Sequence, residues 1–172
     1  MGYAAGLFFD AVSSKTVTEY WRQIDSQYLR IGAVPHISLA VFDAVDIPLM
    51  EKIIMEFASK QEKIKLTMPS VASFLTVEKV IFLAPVVTRP LLELHKRFYE
   101  LLTRYDTEYD PLYRPGNWVP HCTLDMKLTA DEYSEKLALC GGFSPIEKAG
   151  MESVGLIEFQ PVKEIFRYEL QG

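Results

Sequence analysis

The pattern Val-Pro-His-x-(Ser/Thr)-Leu occurs twice in this chain, as VPHISL at residues 34–39 and as VPHCTL at residues 119–124. The two copies contain two of the three histidines and stand about half a chain length apart. Elements of the same kind surround each copy in the same order: a strand, a helix, the motif strand, a helix, and a further strand or hairpin. This order indicates an internal duplication in which each half supplies one equivalent strand.

Hydrophobic periodicity and capping residues predict the elements of both halves. For the first half they predict a strand at residues 6–12, a helix at about 14–29, the motif strand at 34–42, a helix that starts at Asp46 and Pro48, and strands at 65–68 and 71–77. For the second half they predict a strand at 79–85, a helix that starts at Thr88 and Pro90, the motif strand at 118–126, a helix from the capping box Thr129–Glu132 to Gly141, and strands at 152–159 and 163–170.

Each motif places an imidazole and a hydroxyl on the same side of its strand. Side chains alternate along a strand, so His36 shares a face with Ser38, and His121 shares a face with Thr123. Two such strands related by a pseudo-two-fold axis would surround one cleft with two imidazoles and two hydroxyls. A neutral imidazole can take a proton from the attacking water, a protonated one can give a proton to the leaving oxygen, and the hydroxyls can hold phosphate oxygens. The pattern therefore predicts displacement at phosphorus without a metal or a nucleophilic side chain.

The tetrapeptides HISL and HCTL resemble the paired motifs of the 2H phosphoesterase superfamily, which includes 2′-5′ RNA ligase-like proteins and cyclic nucleotide phosphodiesterases. The resemblance implies an α+β fold of two pseudo-symmetric lobes, with antiparallel sheets lining a central cleft and helices packed outside. It implies metal-independent, cofactor-free chemistry on the 2′,3′-cyclic phosphate of a nucleotide or RNA end, or on a 2′-5′ linkage. By this resemblance His36 and His121 are the acid–base pair, and Ser38 and Thr123 bind the phosphate.

The same resemblance predicts the organisation of the chain. We expect residues 1–172 to form a single domain, with lobes at roughly residues 1–78 and 79–172 that exchange strands. We also expect a monomer, because an internal repeat already builds the two-sided site that a dimer would otherwise supply.

Asp125 departs from the pattern of the family. Many relatives carry a basic residue soon after the second motif, whereas here the run is Asp-Met-Lys. By strand alternation Asp125 shares the face of His121 and Thr123, where a carboxylate would either repel a polyanion or orient an imidazole. This residue keeps open an alternative function, a non-catalytic protein that holds a nucleotide or an RNA end in the same cleft.

The connection before the second motif, residues 106–118, is long and rich in Tyr, Pro and Arg. Loops of this length in compact domains often carry function, so we expect it beside the site. Its candidate substrate contacts are Tyr113 and Trp118, which either stack a base or pin the loop, and Arg114, which either meets a phosphate or faces solvent. The third histidine, His95, borders an apolar helix face, and we expect it to be structural.

The overall charge limits the partners. A net charge of −5 and a pI of about 5.3 argue against binding to long duplex nucleic acid, whereas a nucleotide or RNA end remains compatible. No apolar run approaches the roughly 18 residues of a membrane span, so we expect no membrane partner. The two cysteines fit reduced thiols and a cytoplasmic location. The sequence leaves open the base preference, the ester cleaved and which histidine is the acid.

Overall fold

The computed structural model describes residues 2–74, 76–159 and 161–172. The strands are β1 (Gly2–Phe9), β2 (His36–Phe42), β3 (Ile64–Met68), β4 (Ser70–Ser73), β5 (Ile81–Ala84), β6 (Cys122–Asp125), β7 (Ile146–Phe159) and β8 (Lys163–Glu169). The helices are α1 (Ala11–Gln23), α2 (Gln27–Arg30), α3 (Ile47–Ala58), α4 (Arg89–Arg104), α5 (Ala130–Cys140) and a 3-10 helix at Pro111–Tyr113. Over these residues, no helix combines the length and the apolar character that crossing a membrane requires.

The strands form two antiparallel sheets, which confirms the predicted α+β class. The larger sheet has the order β2-β1-β7-β3, and β8 also pairs with β7. The smaller sheet has the order β4-β5-β6. Strands from both halves of the chain enter each sheet. The larger sheet combines β1, β2 and β3 of the first half with β7 and β8 of the second, and the smaller sheet combines β4 of the first half with β5 and β6 of the second. The division of the chain into lobes at residues 78 and 79 stays a prediction.

Helix caps lie where the sequence predicts them. The Asp46 side chain accepts from the backbone of Leu49 at the start of α3, and Thr88 caps α4 in the same way. Thr129 and Glu132 form a complete capping box at α5, which ends at Gly141. These helices start at the predicted residues because a cap is a local interaction between neighbours in the sequence.

The first helix was predicted wrongly as one element at residues 14–29. It begins earlier, because the carboxylate of Asp10 accepts from the backbone of Ser13 and caps α1. It also ends earlier, since Asp25 has a positive φ of 47° and turns the chain. Ser26 then caps the separate helix α2. An acidic residue directly after an apolar strand was the signal for this start.

The strand β1 separates the core from the site. Its residues Ala5, Leu7 and Phe9 belong to the buried core, which continues over the inner faces of α1, α3 and α4. The intervening residues Gly6 and Phe8 pair with β2 on the other face of the sheet, opposite Ser38 and His36 respectively. His36 and Ser38 of the first motif therefore lie on the non-core face of the larger sheet, whereas Ile37 and Leu39 point into the core.

Candidate active site

A cavity of about 770 Å³ lies between the motif strands and is lined by residues from both sheets. His36, Ser38, His121 and Thr123 all line it, so the structure brings the four predicted motif residues together. The volume is typical of small-molecule sites, which span about 300–1,000 Å³. Within the described ranges, no group of three or more His, Cys, Asp or Glu side chains is arranged to hold a metal ion.

Both motif histidines are held by the same local contact. The Nδ1 atom of His36 lies 2.8 Å from the carbonyl oxygen of Val34, and that of His121 lies 2.7 Å from the carbonyl oxygen of Val119. A carbonyl only accepts, so Nδ1 carries the proton and donates it, which leaves Nε2 of the neutral ring as an acceptor. No described residue bonds Nε2 of either ring. The repeated Val-Pro-His spacing thus gives both imidazoles the same tautomer.

The two rings rest on different surfaces. His36 lies over Gly6, where an added Cβ would stand 3.2 Å from its Cδ2 atom, so the ring needs bare backbone beneath it. His121 instead lies among aromatic rings, with centroid distances of 5.0 Å to Phe74 and 5.2 Å to Phe82. Gly6 therefore makes room for the first imidazole, and aromatic contacts place the second.

Burial lowers the pKa of both histidines below the ordinary value, and the hydrogen bonds to the Val34 and Val119 carbonyls oppose this in part. For His36 the positive charges of His121 and Arg167 lower the pKa further. A proton on one ring therefore disfavours a proton on the other. A pair of this kind favours the state with one neutral and one protonated imidazole over the state with two protonated ones.

The two tryptophans of the chain support the motif strands in the same manner. The Nε1 atom of Trp118 donates to the Ser38 carbonyl at 2.9 Å, and that of Trp21 donates to the Thr123 carbonyl at 3.1 Å. Each tryptophan belongs to the half of the chain opposite the motif that it supports. These contacts join the two halves around the cavity, and they relate the motifs by pseudo-symmetry.

The carbonyls of the next motif residues are also bound by side chains. His95 Nε2 donates to the Leu39 carbonyl at 3.1 Å, and the Ser26 hydroxyl donates to the Leu124 carbonyl at 2.6 Å. His95 is 2% exposed and stacks on Trp118 with ring centroids 3.9 Å apart. Burial lowers its pKa to about 4, which keeps it neutral. The prediction that His95 is structural is confirmed.

The loop before the second motif lies beside the cavity, as expected. Tyr113 and Trp118 line the cavity, whereas Arg114 is exposed and is not among the lining residues. Trp118 is 8% exposed and pins the loop through its contacts with His95 and the Ser38 carbonyl. Burial raises the pKa of Tyr113 to about 12, so its hydroxyl stays protonated. Substrate contacts of these three loop residues remain a prediction.

The expectation for Asp125 was wrong. Its side chain is 1% exposed, does not line the cavity, and accepts from Gln27 Nε2 at 2.9 Å and Lys136 Nζ at 2.5 Å. Simple alternation fails here because the pairing register of β5 and β6 shifts between Ile81 and Phe82, beside Asp125. The paired carboxylate neither faces a bound polyanion nor orients His121.

Arg167 on β8 is a residue near the site that the sequence analysis missed. Its guanidinium lies 3.7 Å from the ring centroid of Phe8, the residue that pairs with His36. The register places Ser38, Gly6, Gly155 and Arg167 side by side across four strands. Glycines inside strands mark close backbone approach and were the available signal. No local pattern, however, links β8 to the first motif.

Comparisons with known proteins agree with this architecture. A family model described as the 2′-5′ RNA ligase superfamily matches residues 9–157. A Bacillus licheniformis protein, provisionally named a phosphoesterase, is 26% identical over 140 residues, which cover 80% of this chain and 78% of that protein. The crystal structure of TT0787 of Thermus thermophilus superposes with a TM-score of 0.68 at 14% identity, covering 100% of this chain and 99% of that one. E. coli LigT complexed with 3′-AMP superposes with a TM-score of 0.63 at 13% identity, covering 99% and 98%.

Proposed function

This chain belongs to the 2′-5′ RNA ligase superfamily, and from that membership and its cleft we propose that it is a phosphodiesterase working by two-histidine acid–base catalysis without a metal. Its proposed substrate is the 2′,3′-cyclic phosphate of a nucleotide or RNA end, or a 2′-5′ linkage. Membership itself suggests phosphoesterase or 2′-5′ RNA ligase-like activity. The observation that carries the finer proposal is the pair of imidazoles, His36 and His121, held alike in one cavity.

In the proposed reaction the two histidines work in opposite protonation states. The neutral ring takes a proton at Nε2 from a water, whose oxygen attacks phosphorus. The bond from phosphorus to the 2′ or 3′ oxygen breaks, and the protonated ring donates its Nε2 proton to that oxygen. The product is a phosphomonoester, and the two rings have exchanged protonation states, so proton exchange with solvent restores the starting form. General acid catalysis and general base catalysis each raise the rate of such a reaction by about 10²–10⁴-fold.

The hydroxyls of Ser38 and Thr123 are proposed to hold the non-bridging phosphate oxygens. Both line the cavity next to the histidine of their own motif. Their positions depend on the indole donors of Trp118 and Trp21, which fix the backbone of each motif strand. Through these hydrogen bonds the two tryptophans position the motif strands.

The side chains that line the cavity suit a ligand of the size of a nucleotide. Trp21, Tyr28, Tyr113 and Trp118 give it aromatic walls beside the polar motif residues. E. coli LigT was crystallised with 3′-AMP, and 3′-AMP is the phosphomonoester that opening of adenosine 2′,3′-cyclic phosphate at the 2′ oxygen would leave. We propose Tyr113, Arg114 and Trp118 as candidate substrate contacts, and we expect the monomer to be active because one chain supplies both motifs.

The test uses EDTA-treated protein with the four 2′,3′-cyclic nucleotides, a short RNA that ends in a cyclic phosphate, and a 2′-5′ dinucleotide. Phosphorus NMR identifies the products, with the His36→Ala and His121→Ala proteins as controls. The proposal predicts turnover that survives EDTA and is lost in both variants. Tight nucleotide binding with no turnover of any substrate would contradict it and would establish the alternative, a non-catalytic binder using the same cleft.

A further inference from the structure

The charges that line the cavity are unusual for a site that would hold an RNA strand. Besides the two histidines, the charged side chains among the described lining residues are Lys127, Glu78 and Asp110. The lining therefore carries one ammonium and two carboxylates. Proteins that bind single-stranded nucleic acid instead use a positively charged groove that follows the backbone. The described lining residues form no such groove.

The other cations of this region are placed elsewhere. Arg114 is exposed and lies outside the lining of the cavity. Arg167 lies against the ring of Phe8, pairs with Glu164, and also does not line the cavity. Neither guanidinium belongs to the lining that carries Glu78 and Asp110, although the charge of Arg167 reaches His36. The reacting phosphate is then held by the motif hydroxyls and the protonated histidine, with the charge of Arg167 nearby, whereas any further phosphate would meet the charges of the lining.

The remaining surface of the cavity is largely apolar. At its mouth Ile31 is 44% exposed, Leu112 is 69% exposed and Val119 is 48% exposed. Val34, Tyr28 and Ile157 also line the cavity. Apolar walls with a few polar groups are typical of a pocket that encloses one small molecule.

We propose that the cleft selects a substrate with a single phosphodiester group and an apolar or aromatic body, of the size of a cyclic mononucleotide, over an RNA end that carries further phosphates. This inference rests on the proposed phosphodiesterase function and narrows its substrate class. The physical reason is that every added phosphate brings a negative charge toward Glu78 and Asp110, which Lys127 offsets only in part.

The size of the effect follows from Coulomb's law. One unit charge at about 8 Å from another in water changes an equilibrium by a factor of about two. With one ammonium against two carboxylates, each added phosphate should lower kcat/KM by a factor of about two. A trinucleotide with a 2′,3′-cyclic end carries two added phosphates, and it should be roughly fourfold poorer than the mononucleotide at low salt.

The test compares a cyclic mononucleotide with the matching di- and trinucleotides, which end in the same cyclic phosphate. A second trinucleotide has neutral methylphosphonate links, so it adds the same bulk without the charge. The proposal predicts that the phosphodiester trinucleotide is the poorer of the two trinucleotides. Raising the salt from about 10 to about 200 mM shortens the screening length severalfold. The proposal predicts that this brings kcat/KM for the phosphodiester trinucleotide closer to kcat/KM for the mononucleotide. A site built for RNA would lose activity on the trinucleotide as salt rises.

A pair of variants isolates the wall charge. Glu78→Lys changes the lining by two charges and should raise kcat/KM for the trinucleotide relative to the mononucleotide, by roughly fourfold for each added phosphate. Glu135→Lys makes the same change of charge on the exposed surface of α5, away from the cavity lining, and should leave that ratio unchanged.

The outcomes separate this inference from the proposed function. Equal or faster turnover of the phosphodiester trinucleotide, or an equal loss with the methylphosphonate links, would overturn the charge selection while the phosphodiesterase function stands. Failure of every cyclic phosphate to react would overturn the proposed function and this inference with it.

Discussion

Replacing Gly6 by alanine tests how the structure positions the first imidazole. A Cβ at this position would stand 3.2 Å from Cδ2 and 3.4 Å from Cγ of His36, and 3.4 Å from Cδ1 of Ile157. The 3.2 Å contact with Cδ2 is tighter than most real Cβ contacts, so the ring must move by a few tenths of an ångström. The shift acts on a proposed catalytic group, because His36 lies directly over the glycine.

The expected loss follows from the size of that shift. A misplacement of about 1 Å can cost about 10²-fold in rate, so a few tenths of an ångström should lower kcat/KM by roughly threefold to tenfold. The free energy of unfolding of the Gly6→Ala protein should equal or exceed that of the wild type, because alanine is favoured over glycine inside a strand by about 0.5–1 kcal/mol. Gly6 is not among the described residues with positive φ, so alanine brings no backbone strain there.

The assay measures kcat/KM on a 2′,3′-cyclic nucleotide together with the Tm. Gly2→Ala is the matched control in the same strand, because its Cβ would meet Phe42 O at 3.4 Å and Phe159 Cδ2 at 3.7 Å, which are ordinary contacts. Full activity of a folded Gly6→Ala protein would refute the reasoning, and so would an equal loss in the Gly2→Ala protein.

Three further predictions concern protonation and the support of the motifs. Because burial lowers the pKa of both motif histidines, kcat/KM should follow a bell-shaped pH profile with its optimum on the acid side of about pH 6.5; a flat profile between about pH 5 and 8 would count against the pair. Trp118→Phe removes the donor to the Ser38 carbonyl and should lower the free energy of unfolding by about 1–3 kcal/mol in urea titrations, and an unchanged midpoint would show that this contact is not needed. Asp125→Asn removes the carboxylate that pairs with Lys136, whose side chain is 13% exposed, and should lower the free energy of unfolding by about 3–5 kcal/mol, measured by thermal unfolding. Asp131→Asn, at an exposed position on α5, is the control. Similar losses of stability in both variants would contradict the account.

The sequence predicted the parts of the fold and site that depend on neighbouring residues. The caps at Asp46, Thr88 and Thr129 are local contacts, and alternation correctly placed each motif histidine and its hydroxyl in the same cavity. Two predictions based on neighbouring residues were nevertheless wrong, the start of the first helix and the face of Asp125. The N-cap Asp10 lies inside the range 6–12 that was predicted as a strand, and a register shift moved Asp125 away from the face predicted for it.

The contacts that support the site could not be predicted, because they depend on the order of strands in space. Nothing near Gly6 in the sequence shows that β1 lies beside β2, with the His36 ring over its backbone. The bonds from Trp21 and Trp118 cross from one half of the chain to the other. Arg167 reaches Phe8 only because β8 follows β7 in the larger sheet.

The central claim is that two histidines from the two halves of the chain act as one acid–base unit. Its most direct test is kcat/KM on one 2′,3′-cyclic nucleotide for the wild type, His36→Ala, His121→Ala and the double variant. We predict that each single change costs about 10²–10⁴-fold, and that the double variant is little worse than either, because residues that act as a unit are not additive. A single variant within a few-fold of wild type, or losses that multiply in the double variant, would contradict the claim.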